Sequence, residues 1–92
     1  MTLRTPDAPA GLTELRARID AVDAQLVALL AARRAVVAEL FAWKAAQGMP
    51  RLDTSREESI IADRVARGEA LGVPRALTAA VIRAALDDSH AR

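Results

Sequence analysis

Cysteine is absent from this chain of 92 residues, and histidine occurs once, as His90. The first absence excludes a disulfide-stapled secreted scaffold, a thiolate metal site and a thiol nucleophile. The second leaves no basis for a histidine-built zinc site or a histidine-centred catalytic triad. Aromatic residues number two, Phe41 and Trp43, too few for a platform on which bases could stack. A net charge of +1 removes the electrostatic case for a nucleic-acid partner. No apolar run approaches the roughly 20 residues that a membrane span requires. The first ten residues lack the hydrophobic stretch of a signal peptide. The expectation is one small soluble domain in the cytoplasm, with neither nucleic acid nor membrane as partner.

What the chain holds in quantity is helix-forming sequence. Residues 1–11 carry Pro6, Pro9 and Gly11 and are read as a disordered leader; residues 12–92 form the domain. From Leu12 the apolar positions Leu15, Ile19, Val22, Leu26, Leu29, Val36 and Leu40 follow at alternating steps of three and four, interrupted at Arg33. That spacing predicts one long amphipathic helix ending before Gly48. Gly48 and Pro50 mark a loop. A second helix is predicted from about Thr54 to Gly72, with Thr54 and Glu57, or Ser55 and Glu58, spaced as a capping box. Pro74 suits the first position of a third helix reaching about Asp88. No strand pattern is present, so the class is all-α. The first helix would be roughly 50 Å long, whereas a compact domain of this size has a radius of gyration of about 12 Å. Its apolar stripe predicts a second copy packed against it, a homodimer.

Charges interrupt the stripe. Arg33 stands where an apolar residue is expected, and Lys44, the single lysine beside twelve arginines, follows eleven residues later on nearly the same face. A buried cation is costly unless an anion meets it, and no acidic residue on the stripe supplies one. Two readings stay open. Both cations point into an enclosed site for an anionic ligand, or Arg33 snorkels to the edge and Lys44 sits on the helix's last turn, where cations are favoured. Arg16 lies about 25 Å from Arg33 along the same helix, so the two can grip one small molecule only if an antiparallel partner helix brings them together. Arg56 is unexpected near a helix N-terminus, and a ligand anion would explain it. Ser89 and His90 read as incidental residues at the end of the third helix.

The assembled pattern resembles the all-helical, AroQ-type chorismate mutases. Leu15 and Arg16 followed by Ile19, Asp20 and Asp23 resemble the family's opening. Leu29, Leu30 and Arg33, then Lys44, continue it. Gly48, Pro50, Asp53, Arg56 and Glu57 are similar to its loop and second helix, and Gly72, Val73 and Pro74 to its last turn. The likeness covers about residues 12–90. It implies an intertwined three-helix homodimer with shared active sites that converts chorismate to prephenate without cofactor or metal. It further implies that Arg33, with Arg16 of the partner subunit, binds the substrate's two carboxylates. Lys44 would contact the ether oxygen of the breaking bond, and Glu57 the ring hydroxyl. The Asp53 backbone, Arg56 and Ser89 would complete the pocket. These residue types suit a unimolecular rearrangement that needs a held conformer and countered charge rather than a nucleophile.

One departure is visible. The best-known bacterial members place a Gln four residues after the serine, a position that would be 93 here, past Arg92. The expectation is a weak mutase whose activity rises with a partner enzyme of the same pathway. A carboxylate at Glu57 accepts from an amine as readily as from a hydroxyl, so 4-amino-4-deoxychorismate, or isochorismate, is the alternative substrate. A non-catalytic helical dimerisation module is the alternative from another class.

Overall fold

The computed structural model describes residues 9–92. They form three helices: α1 Ala10–Ala46, α2 Thr54–Ala70 and α3 Arg75–His90. The all-α class is as expected, and among the described residues there is no strand. Of the expected leader, residues 1–8 lie outside the described residues. Ala10 and Gly11 are already helical, because the carbonyl of Pro9 accepts from the amides of Leu12 and Thr13 at 2.8 and 3.1 Å. No helix among the described residues is long and apolar enough to cross a membrane.

Each boundary has a local cause. At the end of α1 the amide of Met49 donates to the Lys44 carbonyl and that of Gly48 to the Ala45 carbonyl. This closes a Schellman turn that requires the left-handed φ of 68° held by Gly48. The same motif ends α2, where Val73 donates to Gly68 and Gly72, at φ 82°, donates to Glu69. Pro74 precedes α3 and caps it from outside with no side-chain bond. Helix α3 continues to His90, two residues past the expected end. Ser89 and His90 are thereby fixed in a regular turn.

The start of α2 differs from the expected capping box. The N-cap is Asp53, whose side chain accepts from the Arg56 amide at 3.0 Å. Thr54 is the first helical residue rather than the cap, so Glu57 is not needed to close a box with it.

Two units divide the chain, Met1–Arg33 and Arg34–Arg92. In the second, α2 packs on α3. Its core is small: Val65 and Leu86 are buried, with Ser89 as the buried polar residue. At Gly68 the two helices approach closely, since a Cβ there would run into the Thr78 hydroxyl. The helix-propensity cost of that glycine, about 1 kcal/mol against alanine, is the condition for the contact. Burying a side chain such as Val65 or Leu86 contributes roughly 1.5–3 kcal/mol.

Helix α1 contains no buried residue. Leu15, Ile19, Val22, Leu26, Leu29, Val36 and Leu40 are between 45% and 67% exposed. The half-buried positions of α1 are Arg33, Val37, Phe41 and Lys44, spaced by four, four and three. The half-covered face therefore shares Arg33 and Lys44 with the expected stripe and is turned from it toward Val37 and Phe41.

Candidate active site

The second unit holds five of the expected site residues. Lys44 lies in the last turn of α1 and is half-buried. Its ammonium donates to the backbone carbonyl of Arg51 at 3.3 Å. Asp53 caps α2. Arg56, exposed, and Glu57, half-buried, follow in the first turn. Ser89 is buried on α3, where its hydroxyl donates to the Ala85 carbonyl at 3.1 Å. Arg16 and Arg33 belong to the first unit; Arg16 is exposed and Arg33 half-buried.

The charges around these residues are unevenly matched. Among the described residues, carboxylates pair with Arg34, Arg64, Arg67 and Arg75. None pairs with Arg16, Arg33, Lys44 or Arg56. Exposed pairs of the first kind contribute little, on the order of 0–1 kcal/mol. At Asp63 the hydrogen bond from Arg64, then that from Arg67, holds the carboxyl below its ordinary value. Arg18, Arg51, Arg83 and Arg92 also lack a carboxylate partner among the described residues, but all four are exposed, whereas Arg33 and Lys44 are half-buried. Among the described residues no cluster of His, Cys, Asp or Glu is arranged to hold a metal ion.

Arg51, not among the expected site residues, and His90, expected to be incidental, both touch the expected site. Arg51 stacks its guanidinium 4.3 Å from the centre of the Phe41 ring and donates to the Ser89 carbonyl at 3.0 Å. Its own carbonyl meets Lys44. One side chain thus ties the loop after α1 to the last turn of α3. His90 places Nε2 2.6 Å from Glu57 Oε2, so it is not incidental. Arg34 pairs with Asp88 at 3.0 Å, and Arg92 donates to the Arg34 carbonyl at 3.2 Å. The one advance signal for Arg51 was its place between Pro50 and Asp53; nothing in the sequence marked the His90 contact.

Comparison with known proteins defines the class. Residues 15–92 match the family model described as chorismate mutase type II, and the chain belongs to that family. Its sequence is 43% identical over 81 residues to a protein of Enterobacter agglomerans named T-protein, covering 88% of this chain. The chain spans 22% of that relative's length. No solved structure gives a significant match.

Proposed function

We propose that the chain converts chorismate to prephenate, as a homodimer whose sites are shared between subunits. The observation that carries this reading is a set of cations with no carboxylate partner among the described residues: Arg33 and Lys44, both half-buried, with Arg16 and Arg56. A half-sheltered cation is stabilised by an anion from outside. Chorismate brings two carboxylates and an ether oxygen that becomes negative as its bond breaks. Family membership selects this dianion from other candidates.

The reaction is a [3,3] rearrangement. One C–O bond breaks and one C–C bond forms within a single molecule, so no oxidant, reductant or co-substrate is consumed. The protein has two tasks. It must hold the folded conformer that brings the two carbons together, and it must oppose charge as it develops. Arg33 and Arg16 of the partner subunit hold the carboxylates, since a guanidinium meets a carboxylate as a rigid fork. Lys44 places a compact positive charge at the ether oxygen. In the free protein its ammonium rests on the Arg51 carbonyl, a neutral partner that can be exchanged for the substrate. Glu57 accepts from the ring hydroxyl, and Arg56, Ser89 and the Asp53 backbone close the pocket.

The dimer reading rests on the exposed stripe of α1. Seven large apolar side chains from Leu15 to Leu40, none less than 45% exposed, form a face of the kind that interfaces cover. A cytoplasmic location and an activating enzyme of the same pathway belong to the same reading. The test is to incubate the purified chain with chorismate, alone and with a pathway enzyme added, and identify the product. Prephenate is expected. Pyruvate with an aromatic acid would point to a lyase, and no turnover in either condition would leave a dimerisation module.

A further inference from the structure

The last turn of α3 is tied down at successive residues. Asp88 pairs with Arg34, the Ser89 carbonyl accepts from Arg51, and His90 meets Glu57. Leu86 and Ser89 are buried beneath it, so the backbone that carries His90 is anchored. The third contact joins two side chains 33 residues apart in sequence at 2.6 Å. An ionised carboxylate can only accept, so Nε2 is the donor. The Glu57 side chain is 25% exposed and that of His90 38%, so the bond is partly sheltered from competing water. Among the described residues, Oε1 of Glu57 accepts no hydrogen bond; the His90 bond falls on Oε2.

We propose that His90 is a positioning residue for Glu57 and that it biases the site toward a ring hydroxyl over a ring ammonium. This rests on the mutase reading above. A glutamate with three free torsions scatters its carboxylate, whereas one oxygen fixed by Nε2 leaves the other aimed and available. The same donor withdraws negative charge from the carboxylate. A hydroxyl needs one acceptor and loses little by this. An ammonium gains most from a full, uncompensated negative charge and loses more. Glu57 alone accepts from either group; Glu57 with His90 favours the hydroxyl.

The experiment compares kcat/KM for chorismate and for 4-amino-4-deoxychorismate in the wild type, His90→Ala and His90→Gln. His90→Ala should lose about tenfold on chorismate, the worth of one charge-assisted hydrogen bond, and less on the amine, so the preference narrows. His90→Gln keeps an N–H donor and should recover most of the chorismate rate. In a Glu57→Gln background, His90→Ala should add little, because the two residues act as a unit. An unchanged preference, or equal losses in both Glu57 backgrounds, would overturn the proposal. If the wild type turned over neither compound, the mutase reading would fail on its own. The pairing would then be judged by the imidazole Nε2 resonance of the single histidine: a shift in Glu57→Gln upholds it, and no shift removes it.

Discussion

Helix α1 and the pair formed by α2 and α3 solve the same problem in opposite ways. The pair buries Val65 and Leu86 within the chain and brings its helices so close that Gly68 admits no side chain against Thr78. Helix α1 has more than twice the length of either partner, 37 residues against 17 and 16, and buries nothing. Its apolar residues recur at steps of three and four from Leu15 to Leu40, interrupted at Arg33. The difference teaches that a hydrophobic stripe states that a surface is to be covered, without stating by which chain. In the pair the covering surface is internal. For α1 we assign it to a second copy.

The largest effect should come from the charge that this arrangement is built around. Lys44→Ala should lower kcat by about 10²- to 10³-fold, the usual loss for one preorganised donor, with the circular dichroism spectrum and sedimentation unchanged. A dimerisation module would instead tolerate an apolar residue at 44 with equal or higher stability.

The next two predictions probe the comparison itself. Leu26→Asp lies on a residue 48% exposed in the single chain. If that surface faced water, the substitution would change stability by no more than about 0.5 kcal/mol. At a subunit interface it should dissociate the dimer and abolish turnover, as sedimentation and assay would show. Leu71→Asp, at a residue 82% exposed, is the control that should do neither. Within the pair, Gly68→Ala should destabilise by about 1–3 kcal/mol through overpacking against Thr78, measured by denaturant unfolding. Its helix propensity alone would predict a gain.

The smallest effect belongs to the surface. Arg64 and Arg67 hold Asp63 below its ordinary value, so the folded state binds its proton less readily than the unfolded state. Its contribution is full at neutral pH and is lost as acidification passes through the lowered folded value. Asp63→Asn should therefore change the melting temperature slightly at pH 7, not at all once the wild-type carboxyl is itself protonated, and leave turnover unchanged.

Much of the fold was legible in the residues because the helix ends are written in local chemistry. Gly48, Gly72 and Pro74 act within their own turns, and they place the breaks wherever tertiary contacts fall. The cap of α2 was legible only in part. The capping-box spacing pointed to Thr54 with Glu57, whereas the cap is Asp53, whose backbone is extended at φ −136°. That choice decided the role of Glu57, which is released from capping and met by His90. The His90 contact could not be read from sequence, since it depends on how α3 returns to the start of α2 and on two further residues of helix. The same holds for Val37 and Phe41: the step of three and four selected Val36 and Leu40, and the register of the half-covered face follows from neighbours that periodicity does not name. The candidate cations were legible for a general reason. A charge inside an apolar stripe is costly wherever the stripe goes.

The measurement that tests the account most directly is complementation between subunits. Arg16→Ala and Arg33→Ala should each be inactive alone. Unfolded together in equal amounts and refolded, half of the dimers are mixed, and each mixed dimer regains one intact site of two, so about a quarter of wild-type activity should return. Two inactive proteins that stay inactive after mixing, although sedimentation shows mixed dimers, would contradict a site assembled from both chains.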